Sequence, residues 1–552
     1  MSMIQGKQAL IEILRQEKVE YVFGIPGATE VVFMDALQDA PDIRFILALQ
    51  ETGAAGLAEG YARISGKPAF LNFHTNTGLG AALPLLTNAF QGGVPLVITA
   101  GQQDTRLAAQ DPPLKANLAG IASPVAKWAT EIVNAEDIPL VMRQAFKIAQ
   151  QTPTGPVFVA LPQNLLLKDI EFEYTPGKLQ NDRLQTAPQA INAAAMLLSK
   201  AQKPLMLVED GVSKYQSLKE VTQLAESIGA GVYQQWMSDV NFPLDHPLYL
   251  GDLDVNSVKT RSIFEDADVL VVVGSYFFSQ AVYTNLPLIP LGLKIIQIDN
   301  DPHQLGKNYP VDAALGGDIK GSLRALVAAL KPLMKSQNQK VQARIKSIGV
   351  QSAKITTDFS KMSKSRFKDT PISAYRLMRE IQSVVQPGTI IVDDCWSNSA
   401  ILRQTFRFNT AESYLRSRGG GSIGFGLPGA IGVKLAAPDK PVVCVSGDGS
   451  AAWSIQSLWS AAHYEIPLTF IICANSAYRQ VRIMKGKIMG DSVKGRNLGT
   501  ELVEPRMDFC SLAAGFGVTA KKVEDPDQLS AVLSQSINSQ QPNLVEVIIG
   551  QD

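Results

Sequence analysis

Several runs in this chain are apolar through their middles without polar alternation, and such runs fit inside a sheet covered on both faces: PLMLVED (204–210), VLVVVG (269–274), PVVCVSG (441–447) and LTFIICAN (468–475). A strand with one wet face alternates polar and apolar residues, and these do not. Amphipathic helical stretches separate them, which makes the repeating unit strand–helix–strand and the implied sheets parallel. The chain has 552 residues, which at about 150 residues per domain predicts three or four domains. The composition, 46% hydrophobic and 18% charged, is that of a globular α/β protein.

Three blocks follow from the spacing of these runs. The first spans 1–170, with strands expected at Tyr21–Phe23, Arg44–Leu49, Ala69–Phe73, Leu96–Ala100 and Val157–Leu161. A polar stretch, Lys168–Gln189, reads as a linker. The second block spans 190–335, and a helical, Lys- and Ser-rich connection (332–368) leads to the third, 365–552. The first and third blocks have the look of one architecture used twice.

The bulk numbers exclude several functions. Formal net charge is zero, which argues against nucleic acid or a polybasic membrane partner. No apolar run approaches the ~18 residues of a membrane span, and the N-terminal segment lacks the apolar core of a signal peptide. The four cysteines, Cys395, Cys444, Cys473 and Cys510, form no CxxC pair, so neither a zinc site nor a disulfide framework is expected. A reducing compartment, the cytoplasm, fits this usage.

The third block carries the strongest chemical signal. One expected strand ends in Gly447-Asp448-Gly449-Ser450 and another in Ala474-Asn475-Ser476, placing Asp448 and Asn475 27 positions apart. That interval holds one crossover helix, expected near 454–464, so both residues sit at carboxyl ends of parallel strands, where such sheets bind ligands. A carboxylate, an amide oxygen and a nearby backbone carbonyl suit a hard cation such as Mg2+ that shares its shell with phosphate. Gly447 and Gly449 let phosphate approach the backbone, and the following helix N-terminus favours negative charge. Upstream lies a Gly-rich loop, Arg418-Gly-Gly-Gly-Ser-Ile-Gly-Phe-Gly426, with a helix expected from about Leu427. Gly419-x-Gly421-x-x-Gly424 imitates a dinucleotide fingerprint, but that motif follows an apolar strand, and Ser413–Arg418 reads as a poor buried strand. In the first block an apolar run, Phe45–Leu49, leads to Glu51 at the start of a small-residue helix expected at Thr52–Ala62. Taken locally, such a Glu is a helix-dipole partner.

Gly-Asp-Gly followed by Asn, together with the Glu51 segment TGAAGLAEGYAR, resembles the thiamine diphosphate (ThDP) dependent 2-oxo acid decarboxylase and acetolactate synthase superfamily. Across its length the chain is most similar to the benzoylformate decarboxylases, through VFGIPGATE, FILALQE, KPAFLNFHTNTGLG and PLVITAGQQ. The resemblance implies three α/β domains: pyrimidine-binding, central Rossmann-like and diphosphate-binding. It implies Mg2+ on Asp448, Asn475 and the Ala477 carbonyl. It implies Ile423 as the residue wedged between the cofactor rings and the Gly421 carbonyl as acceptor for the 4'-amino group. Trp396, Ser397, Ser422, Ser450 and Tyr478 complete the implied cofactor contacts. Glu51 would hydrogen-bond the pyrimidine N1', and His74 would carry protons. The wedged shape brings the 4'-nitrogen beside the thiazolium C2 proton and makes its removal intramolecular. In this family Glu and metal come from different subunits, so a homodimer or homotetramer is implied.

The sequence departs from the pattern in places. Ala474 stands where the family usually has a first Asn. Ala28 replaces a serine that contacts the substrate carboxylate, and no histidine lies at 279–282, where a second one aligns. Val481 replaces a second glutamate of pyruvate decarboxylases, and Met484 a tryptophan of biosynthetic acetohydroxyacid synthases. With Leu114 and Gln480 these imply a mainly apolar acyl pocket, which Gln102 or Gln110 could also face. His246, His303 and His463 read as structural. The expected activity is non-oxidative decarboxylation of a 2-oxo acid. The alternative is carboligation, in which the ThDP-bound enamine attacks a second carbonyl. The resemblance leaves FAD in the central block open, and FAD is not expected.

Overall fold

The computed structural model describes residues 2–177, 184–255, 257–275, 282–283, 287–417, 419–490, 495 and 497–551. Arg418 of the Gly-rich loop and Ser279–Ala281 of the segment without histidine lie outside the described residues.

Three six-stranded parallel sheets carry the fold. The first contains Tyr21–Gly24, Arg44–Leu47, Ala69–Phe73, Leu96–Gln102, Trp128–Glu131 and Val157–Pro162. Numbered along the chain, these six lie in the spatial order 2-1-3-4-6-5. The third contains Ile390–Asp394, Tyr414–Arg416, Val442–Gly447, Thr469–Ala474, Thr519–Val523 and Asn543–Ile548, and its order is again 2-1-3-4-6-5. The central sheet, from Pro204–Val208 to Ala313–Gly316, runs 3-2-1-4-5-6, the dinucleotide-domain order. The apolar runs occupy the middles of these sheets: Val269–Val273 and Thr469–Ala474 are buried at every position. In each sheet the order reverses beside strand 1, which opens a crevice at the carboxyl ends.

Three expectations need correction. Lys168–Gln189 is not linker throughout. Asp169–Phe172 is a strand, paired antiparallel with Ser2–Gln5 across the first domain, because Ile170 is buried in its core. The stretch before the Gly-rich loop is a buried strand after all: Tyr414–Arg416 pairs parallel to Ile390–Asp394. Its polar tips are accommodated inside, the Tyr414 hydroxyl donating to Asp393 at 2.5 Å and the Arg416 guanidinium lying over the Trp396 ring. Finally, two short helices, Asp448–Trp453 and Ser457–His463, replace the single crossover helix.

The first and third domains of one chain meet through two helices, Glu51–Ser65 and Gly426–Ala436. Their glycines and alanines permit backbone contact. A Cβ on Gly60 would lie 2.1 Å from the Gly429 carbonyl oxygen, and one on Gly432 would lie 2.0 Å from that of Leu57. The central domain is pinned to this junction by a buried ion pair, Arg63 Nη2 to Asp239 at 2.7 Å. Among the described residues no helix is long and apolar enough to cross a membrane.

Candidate active site

In the third domain the crevice lies between the ends of Ile390–Asp394 and Val442–Gly447. Asp448 opens a helix and is almost fully buried. Its carboxylate accepts from the Gly449 N–H at 2.8 Å and the Ser476 N–H at 2.5 Å. No cationic side chain contacts it among the described residues, and burial pushes its pKa up to about 6. Asn475 follows the neighbouring strand, 8% exposed, its Oδ1 taking the Ala477 N–H at 2.9 Å and its own carbonyl taking Gln551 Nε2 at 2.9 Å. The Asp448 carboxylate, the Asn475 amide and the Ala477 carbonyl would supply an all-oxygen donor set next to a helix N-terminus. A buried carboxylate lacking its counter-charge calls for one, so the residues fit Mg2+ and an anionic diphosphate.

The Gly-rich loop crosses the same crevice. Gly421 and Gly424 have φ of 79° and 96°, conformations that a side chain would strain. Gly424 also approaches Trp453 so closely that a Cβ would lie 2.9 Å from the Trp453 Cβ. Ile423 sits between them, partly exposed. Asp394 was not singled out from sequence. Its carboxylate, 1% exposed, accepts from Gly424 N and Gly426 N at 3.0 Å each and from Trp396 Nε1 at 2.8 Å. The Trp396 indole N–H is therefore committed, so any diphosphate contact from Trp396 would fall to its backbone. Ser397 is partly exposed beside it, Ser450 is buried, and Tyr478 packs its ring where a Cβ on Gly449 would fall.

In the first domain the equivalent crevice lies between Tyr21–Gly24 and Ala69–Phe73. His74 follows the second of these strands. Its Nδ1 lies 2.9 Å from Glu30 Oε2 and 3.2 Å from the Thr29 hydroxyl. Glu30 is buried and also accepts from Gly27 N at 2.9 Å, Gly101 N at 2.8 Å and the Thr29 hydroxyl at 2.7 Å. Sequence reasoning missed Glu30 because Gly-Ala-Thr-Glu reads as a surface turn. The structure instead folds the carboxylate back under the glycines. Ala28 is exposed at the same turn. Glu51 starts its helix as expected, with Gln50 capping it through Gly53 N at 3.1 Å. The Glu51 carboxylate lies against Gly78, 3.1 Å from where a Cβ would stand.

The expected acyl-pocket residues are placed less uniformly. Gln480, Val481 and Met484 lie on the helix Arg479–Met489, none of whose residues is buried. Val481 is 53% exposed. Leu114 is half-buried in a loop of the first domain. Gln102 is buried and donates to the Ala116 carbonyl at 2.8 Å, whereas Gln110 is exposed. His246 lies beside Glu226, and His463 stacks on Trp459.

Comparison with known proteins identifies the family. Family models match residues 4–119 (thiamine pyrophosphate enzyme, N-terminal TPP binding domain), 191–326 (central domain) and 397–547 (C-terminal TPP binding domain). A probable acetolactate synthase large subunit of Methanococcus aeolicus is 30% identical over 99% of this chain and 92% of its own length. The benzoylformate decarboxylase of Pseudomonas aeruginosa is 29% identical over 98% of each chain. The solved structure of a Rhodococcus jostii ThDP-dependent 4-hydroxybenzoylformate decarboxylase superposes over the whole of both chains, with a TM-score of 0.86 and 26% identity. The chain belongs to the thiamine diphosphate-dependent enzymes, in the family that contains the benzoylformate decarboxylases and acetolactate synthases.

Proposed function

We propose that this protein decarboxylates a 2-oxo acid non-oxidatively, using ThDP and Mg2+. Bound ThDP supplies the electron sink that lets a carboxylate leave as CO2. Asp448, Asn475 and the Ala477 carbonyl would hold the Mg2+ that neutralises the diphosphate, and Glu51 would hydrogen-bond the pyrimidine N1' and hold or release its proton there. The observation that carries the choice of decarboxylation is the His74–Glu30 pair. Glu30 accepts a hydrogen bond from Nδ1–H and so orients the ring, which leaves Nε2 to pick up a proton and, as the imidazolium, pass it on. Fast proton delivery releases an aldehyde.

The sites form between two copies of the chain, as a homodimer or homotetramer. In support, the polar contacts of Asp448 among the described residues come from its own domain, and the helix Arg479–Met489 leaves Val481, Ile488 and Met489 exposed for a partner to cover. A second reading, carboligation, is favoured by the likeness to acetolactate synthases and by the lack of a histidine at 279–282. Incubation with benzoylformate, pyruvate and branched-chain 2-oxo acids, with product analysis, separates the two. Aldehyde supports the first and acetolactate the second, while no product from any of them contradicts both. A flavin absorbance in the purified protein would add FAD to the central domain.

A further inference from the structure

The loop that carries Ile423 is anchored on both sides of that residue by two buried side chains from different domains. On one side the Ser422 N–H donates to Asn88 Oδ1 at 3.2 Å, and Asn88 Nδ2 donates back to the Ser422 carbonyl at 2.9 Å and to the Ser417 hydroxyl at 2.5 Å. Asn88 is fully buried in the helix Thr75–Gln91 of the first domain, and a Cβ on Gly420 would collide with it. On the other side the Gly424 N–H and the Gly426 N–H both donate to Asp394 Oδ2, while Trp396 Nε1 occupies Oδ1. Backbone amides at 422 and 424 bracket position 423, so its φ and ψ are fixed from both ends. Three of the glycines, 419, 421 and 424, hold positive φ. Such a segment has many accessible conformations when untethered.

We infer that Asp394 and Asn88 are positioning residues that together set where Ile423 stands in the crevice. This rests on the ThDP reading above. The cofactor's diphosphate end is held separately by the Asp448 site, so the two roles are separable. Loss of either anchor should slow proton removal at the cofactor C2 far more than it weakens binding, because a ring held slightly out of place loses the intramolecular geometry.

The test uses the full-length protein with ThDP and Mg2+. Cofactor affinity is measured by calorimetry, and hydrogen–deuterium exchange at C2 of the bound cofactor by quenched NMR. Asp394→Ala and Asn88→Ala are expected to slow exchange by about 10- to 100-fold while affinity changes by no more than a few-fold. Exchange at the wild-type rate in both variants overturns the proposal. An isosteric pair keeps the test valid if alanine disturbs folding. Asp394→Asn can still accept from Gly424 and Gly426, but it turns its amide N–H towards the Trp396 N–H. Removing that donor with Trp396→Phe should restore exchange in the double variant towards wild type. Failure of that rescue, with both proteins folded by circular dichroism, also overturns the proposal. Absence of ThDP binding in the wild-type protein would instead sink the functional reading, so the two failures are distinguishable.

Discussion

The first and third sheets share one strand order, 2-1-3-4-6-5, and both open a crevice between strands 1 and 3. The carboxylates at the two crevices differ in what faces them. In the first domain Glu30 is met by His74 at 2.9 Å. In the third, Asp448 meets, among the described residues, backbone N–H groups and no cationic side chain, and burial raises its pKa. On the proposed function, one topology serves proton handling where the chain supplies the partner, and cation binding where it does not. The partner side chain decides the use, because an isolated buried carboxylate is costly until a charge arrives.

The contrast breaks most visibly at Glu51. Glu51→Gln should lower kcat by about 100- to 10,000-fold, the span of general acid–base contributions, while ThDP affinity stays near wild type. A parallel loss of affinity would move Glu51 from proton chemistry to cofactor anchoring. The next effect is at the paired carboxylate. His74→Ala should reduce aldehyde formation by about 100-fold, and Glu30→Gln by less. Wild-type activity in both variants would remove the first crevice from proton delivery.

Much of this was legible in the sequence because it is local. Gly-Asp-Gly at a strand end, Asn475 after the next strand, and Glu51 opening a small-residue helix each show themselves within a few residues. What was missed is long-range. Glu30 looks like a turn residue until Gly101 and His74 arrive from other strands. Tyr414–Arg416 looks too polar for an interior strand until Asp393 and Trp396 receive its tips. Asp394 gives no local hint that its partners are 30 and 32 residues downstream.

Smaller effects sharpen the picture. Burial lifts Asp448 to about 6 and Asp394 to about 7. A carboxyl raised on folding contributes its stability in full below its unfolded pKa and loses it as pH rises through the folded value. The cofactor-free protein should therefore lose thermal stability between about pH 4 and pH 7. Asp448→Asn should flatten the lower part of that slope, to about pH 6, and Mg2+ with ThDP should abolish the same part. A slope unchanged by either would detach Asp448 from the cation. The smallest effect is at the helix crossing. Gly60→Ala pushes a methyl into the Gly429 carbonyl and should cost about 1–3 kcal/mol, read as a lowered Tm. An unchanged Tm would mean the two helices are not in backbone contact.

The central proposal is that the third crevice holds ThDP through a divalent cation on Asp448. Calorimetric titration of ThDP into the wild-type protein and Asp448→Ala, each with and without Mg2+, tests this directly. Saturable binding by the wild type that needs Mg2+, weakened at least about 100-fold in the variant, is the predicted result. Binding of equal strength in both proteins, or none in the wild type with Mg2+ present, would contradict it.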